Sequence, residues 1–130
     1  MIDQIELIDR PVSSKKDESC GNHHERLMGM HDAMEVLTGK WKLHLLGTLI
    51  FGGKMRFMDL LRQVEGIAAK MLSKELQDLE MHQLVTRTVK KTKPITVEYE
   101  ITEYGKSLQP VIIEITKWGA SHRKKIMGHL

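Results

Sequence analysis

The sequence predicts a mainly helical α+β fold, and three observations carry that reading. Apolar residues recur at spacings of three and four through most of residues 23–83, the signature of helices with one buried face. The period then changes to two over residues 85–101, which predicts strands. A three-four stripe returns from Leu108 to His122, predicting a closing helix. A chain of 130 residues suits one ordinary domain, and 41% hydrophobic with 28% charged residues are globular values. No run approaches the roughly 18 apolar residues a membrane helix needs. The opening Met-Ile-Asp-Gln-Ile-Glu lacks the basic start and apolar stretch of a secretory signal. The one cysteine, Cys20, excludes an intrachain disulfide and suits a reducing cytosol, so the expected location is cytoplasmic.

Residues 1–22 hold Pro11, Ser13, Ser14 and a charged run without sustained period, and are expected to form a flexible N-terminal arm. From His23, Leu27, Met30, Met34 and Leu37 form one stripe of a helix ending near Gly39. A second helix, from about Lys40 to Ile50, offers Trp41, Leu45, Leu46 and Leu49 for burial and stops at Gly52-Gly53. A third, Arg56 to Val64, is separated by Gly66 from a fourth over about Ala68 to Gln83. In the fourth, Met71, Leu72, Leu76 and Leu79 are expected to face inward, led by Ile67, and Lys70, Ser73, Lys74 and Gln77 to line an exposed ridge. Val85, Arg87 and Val89, then Val97, Tyr99 and Ile101, define two strands joined by the basic connection Lys90-Lys91-Thr92-Lys93-Pro94. Thr102 is placed to cap the last helix, with Pro110 in its first turns. The folded domain is expected over 23–125, with a C-terminal tail at 126–130.

The net charge of +3 is small, but it is unevenly spread: residues 1–53 carry −2, residues 54–93 carry +4 and residues 94–130 carry +1. Three helices followed by a basic two-stranded hairpin form the order of a winged helix-turn-helix. In that module the second helix of the turn motif enters the DNA major groove. Lys70, Ser73, Lys74 and Gln77 supply donors and acceptors for base edges, and Ala68 and Ala69 would permit close backbone approach, Ala69 against a thymine methyl group. Lys90, Lys91 and Lys93 on the wing, with Lys54 and Arg56 at the start of the third helix, would meet phosphates of double-stranded DNA.

From Cys20 to about Gly119 the sequence resembles the HxlR family of bacterial winged-helix transcriptional regulators. The resemblance rests on Cys20 ahead of a helix, Leu37-Thr38-Gly39-Lys40-Trp41, Met55-Arg56-Phe57-Met58-Asp59-Leu60, Gly66-Ile67 and Lys70-Met71-Leu72-Ser73. It continues through Leu76 with Leu79-Glu80, Leu84-Val85 with Arg87, Val97-Glu98-Tyr99, and Thr102 with Gly105 and Ser107-Leu108. The resemblance implies a homodimeric regulator, often a repressor, whose N- and C-terminal helices make the dimer contacts. The stripes available for that pairing are Leu27, Met30 and Met34 at one end and Leu108, Val111, Ile115, Trp118 and His122 at the other. The chain departs from the family pattern at Gly21, where a proline is common after the cysteine, and at Ala68-Ala69, where a polar residue is common.

Some members of the similar family sense oxidants or electrophiles through a cysteine at the place of Cys20. An oxidant or small-molecule effector therefore stands beside the alternative of an inert thiol. Cys20, His23, His24, His31 and Asp32 lack the ligand spacing of a zinc site, so no metal is expected. Nor is a cofactor, and Trp41, Trp118 and the nine methionines are assigned to packing. No phosphate loop, dinucleotide fingerprint or nucleophile elbow occurs, so the chain does not read as an enzyme. The competing function is a winged-helix module that binds a protein partner without reading DNA sequence.

Overall fold

The computed structural model describes residues 21–128. The chain divides into two compact units, residues 1–38 and 39–130. The described part of the first is a single helix, α1 (His23–Val36). Its N-terminus is fixed by Asn22, whose Oδ1 accepts the Glu25 N–H at 2.9 Å, the ordinary chemistry of an N-cap. It buries none of its residues, and Leu27, Met30 and Met34 are all exposed. Cys20 and the arm that precedes it lie outside the described residues.

The second unit begins with α2 (Lys42–Gly52), continues through β1 (Met55–Arg56), α3 (Phe57–Gln63), α4 (Ala69–Met81), β2 (Val85–Lys90) and β3 (Thr96–Ile101), and ends in a short 3₁₀ turn (Gly105–Leu108) leading into α5 (Gln109–Met127). The strands form one antiparallel sheet in the order β1-β3-β2. Val85 faces Ile101, Arg87 faces Tyr99, and Lys90 faces Thr96 across the β2–β3 ladder. Alternation therefore places Arg87, Val97 and Tyr99 on one face and Thr88, Lys90 and Glu98 on the other. Leu45, Leu46, Leu60, Val64, Leu72, Leu76 and Leu79 make the fully buried core, joined by Val85. Each such side chain contributes about 1.5–3 kcal/mol relative to exposure. Ile112 is the one buried residue of α5.

The expected helices and strands are present, with four differences of detail. Met71 is exposed rather than inward: Leu72, Leu76 and Leu79 fix the centre of the buried face, and the remaining stripe position is taken by Glu75. Arg56 lies in a two-residue strand and caps α3 instead of starting it, because Met55 and Arg56 pair with Tyr99 and Glu98. Thr102 does cap, but it caps the 3₁₀ turn: its Oγ1 accepts the Gly105 N–H at 2.8 Å and donates to the Gln83 carbonyl at 2.7 Å. That bond ties the base of the wing to the end of α4. Finally, α5 runs to Met127, beyond the boundary expected at 125, and its first turn accepts Pro110 where no N–H is needed. Among the described residues, no helix is long and apolar enough to cross a membrane.

Candidate nucleic-acid interface

The helix-turn-helix is α3, the connection 64–68 and α4. Gly66 adopts φ +92°, a backbone conformation that favours glycine, and this reverses the chain within five residues. Leu72, Leu76 and Leu79 are buried, so the opposite side of α4 is held towards solvent. Lys70, Ser73, Lys74 and Gln77 are exposed there, as their spacing predicts, and Ala68 and Ala69 are exposed at the helix start. Ala68 is the N-cap residue and supplies no side-chain acceptor, so the first N–H groups of α4 have no side-chain cap.

A groove of about 740 Å³ separates this helix from the wing. Ser73, Gln77 and Glu80 form one wall, Arg56 to Asp59 with Arg62 another, and Arg87 with residues 94–97 and Tyr99 the third. The structure thus brings Arg56, Ser73 and Gln77 together, and adds Arg62 and Arg87, which sequence reasoning did not assign to a site. Arg62 is engaged by Asp59 at 2.7 Å. Arg87 has no ion-pair partner among the described residues, and it stands opposite Tyr99 on the sheet face that lines the groove. The strand alternation already present in the sequence was the signal that could have found it.

The wing lysines separate into two groups. Lys91 and Lys93 are exposed at the tip, where Thr92 Oγ1 donates to the Pro94 carbonyl at 2.7 Å, and neither forms an ion pair among the described residues. Lys90 and Lys54 instead share Glu98 on the other sheet face, at 3.7 and 3.8 Å from its Oε1. That oxygen is buried and accepts no hydrogen bond, so the two ammonium groups are its only electrostatic compensation among the described residues. Both lysines are about half exposed and remain within reach of solvent.

Beneath the ridge lies a buried ion pair that the sequence reading missed. Lys42 Nζ donates to Glu75 Oε2 at 2.9 Å and lies 3.2 Å from Asp78 Oδ2, with Lys42 and Glu75 about 5% exposed. Burial works to lower the Lys42 pKa, but hydrogen bonds and charge from Glu75 and Asp78 outweigh it and hold the ammonium above its ordinary value of 10.5. The signal was in the pattern: Lys42, Leu45, Leu46 and Leu49, and Leu72, Glu75, Leu76 and Leu79, share the spacing of a buried stripe. A lysine in one stripe and a glutamate in the other are complementary.

The residues expected to pair two subunits are placed at the surface. Val111, Ile115 and Trp118 of α5 are exposed, His122 stacks on Trp118 with ring centroids 5.0 Å apart, and Leu108 is half-buried in the 3₁₀ turn. No group of three or more His, Cys, Asp or Glu side chains is arranged to hold a metal among the described residues.

Comparison with known proteins agrees with this architecture. The profile of the HxlR-like helix-turn-helix family matches residues 36–127. The chain is 39% identical over 95 residues to the HTH-type transcriptional regulator YtcD of Bacillus subtilis, covering 73% of this chain and 75% of that relative. Among solved structures, it is similar to the redox regulator HypR in its reduced form, with TM-score 0.71 and 33% identity over 77% of this chain and 98% of HypR. It is also similar to the reduced transcriptional regulator YodB from B. subtilis, with TM-score 0.61 and 31% identity over 69% of this chain and 87% of YodB. Helix-turn-helix, wing and sequence agree along the same stretch, and the chain belongs to the HxlR-like family of DNA-binding winged-helix transcriptional regulators.

Proposed function

We propose that the protein is a homodimeric repressor that reads an inverted-repeat operator. The observation that carries this reading is the exposed ridge Lys70, Ser73, Lys74 and Gln77, set beside a groove whose far wall carries Arg87. Two copies of α4 would enter successive major grooves about one helical turn apart, or a small multiple of that, while Lys91 and Lys93 bind flanking phosphates. Two exposed apolar stripes support the dimer: Leu27, Met30 and Met34 on α1, and Val111, Ile115 and Trp118 on α5. Gln77 carries the amide suited to an adenine edge, so Gln77→Ala is expected to relax preference at particular operator positions, by about 1–3 kcal/mol each. Competition binding with single-base operator variants measures this; an unchanged ranking of variants would remove Gln77 from base reading.

The similarity to HypR and YodB supports an oxidant-responsive role for Cys20. With one cysteine per chain, the outcome is a disulfide between two subunits or a mixed disulfide with a small thiol: in either, two thiols lose two electrons and two protons, and the oxidant takes them up. Cys20→Ser is expected to leave DNA binding by the reduced protein intact and to abolish its response to diamide. A full diamide response in that variant would rule out Cys20 as the sensor.

A further inference from the structure

The buried Lys42 belongs to a four-charge cluster that reaches the DNA-facing ridge. Glu75 and Asp78 lie on α4, one turn apart in sequence direction, and two ammonium groups approach them from different sides. Lys42 Nζ enters from the interior at 2.9 Å from Glu75 and 3.2 Å from Asp78. Lys74 Nζ sits outside, 3.7 Å from Glu75 and 4.0 Å from Asp78, with its side chain 66% exposed. The close partners are therefore interior, and the ridge lysine is held only at the periphery of the same carboxylates.

We propose that Lys42 is a positioning residue for DNA binding: by neutralising Glu75 and Asp78 from within, it leaves the Lys74 ammonium available to the nucleic acid. Two carboxylates and two ammonium groups sum to zero. Without the interior charge, Lys74 becomes the one cation among the described residues that faces the two carboxylates, one of them buried in a medium that strengthens the attraction. Its ammonium would then turn inward, and an uncompensated negative charge would lie beneath the face that meets phosphate. A buried lysine that touches no DNA thus sets the effective charge of the reading helix. This inference rests on the DNA-binding reading above and adds to it the control of one ridge contact.

The test is a double-mutant cycle, read by anisotropy of a fluorescein-labelled mixed-sequence DNA duplex across a salt series, at temperatures where each variant is shown to be folded. Lys74→Ala in the parent chain is expected to reduce the slope of log affinity against log salt by less than the value of about 1 for a full phosphate contact, because Glu75 and Asp78 at 3.7 and 4.0 Å still draw on part of its charge. Lys42→Met should reduce it similarly and weaken binding about tenfold, and Lys74→Ala added to Lys42→Met should then have little further effect. Lys42→Arg should retain the parent slope. Should Lys42→Met fail to fold, Glu75→Gln in the parent chain decides the matter: releasing Lys74 from one carboxylate should tighten binding and steepen the slope. Additive effects of Lys42→Met and Lys74→Ala, or a Glu75→Gln chain that binds no more tightly than the parent, would overturn the proposal. A parent protein that binds the duplex without salt dependence would instead overturn the DNA-binding reading itself.

Discussion

Lys42→Met is expected to destabilise the unit spanning residues 39–130 by about 3–5 kcal/mol, because it leaves the Glu75 carboxylate buried without its closest partner. Glu75 is 4% exposed, so water cannot replace the lost ammonium without opening the packing between α2 and α4. Asp78 is about one-third exposed and can recover hydration, so the penalty concentrates on Glu75. Replacing both members, as in Lys42→Met with Glu75→Leu, removes the orphaned charge and fills the stripe with apolar volume. That pair should regain most of the lost stability. Urea unfolding of the parent, the single variant and the pair measures this directly, and a single variant as stable as the parent would refute the buried pair as a stabilising contact.

The same pair gives a pH dependence of defined sign. The Lys42 pKa in the folded chain lies above its ordinary value of 10.5. Its contribution is therefore complete below that value and is lost as pH rises through the raised pKa, since the unfolded chain then releases its proton first. The stability advantage of the parent over Lys42→Met should accordingly persist through neutral pH and fade only in strongly alkaline buffer.

The second large effect concerns phosphate binding. Replacing Lys70, Lys91 and Lys93 together with alanine is expected to flatten the salt slope by about 2.7, as three phosphate contacts are lost at roughly 0.9 each. All DNA sequences should weaken nearly alike, because phosphates carry no base identity. Replacing Lys54 and Lys90 should do less, since Glu98 already neutralises part of their charge at 3.7–3.8 Å. Isotherms collected over a salt series separate the two sets. A slope unaffected by the triple replacement would exclude ridge and tip from the phosphate footprint.

The architecture was legible in the sequence because its helices and strands bury strict stripes. Leu45, Leu46 and Leu49, then Leu72, Leu76 and Leu79, predict α2 and α4, and the change to period two predicts the wing. The exposed ridge follows from the same geometry, since a helix with one buried face must present the other. What escaped the sequence reading depends on partners distant along the chain. Lys42 and Glu75 are 33 residues apart, and each alone resembles a polar interruption of an apolar stripe. Met71 looked as apolar as its neighbours, yet the buried arc of α4 had room for Glu75 and its counter-ion instead. Arg87 reads as a strand residue and not as a site residue: alternation puts it on the face of Val85, and the register opposite Tyr99 brings that face to the groove beside α4. The β1 strand is two residues long, too short to show a period of its own.

Selection of bound duplexes from a random DNA pool by the reduced protein, followed by sequencing and a salt titration of the selected duplex, decides whether the protein reads DNA sequence as a dimer. A homodimeric DNA reader should enrich an inverted repeat, bound with a steep salt slope by two chains. Recovery of no common sequence, with weak or salt-insensitive binding, would contradict it and favour a protein-binding role for the same winged-helix face.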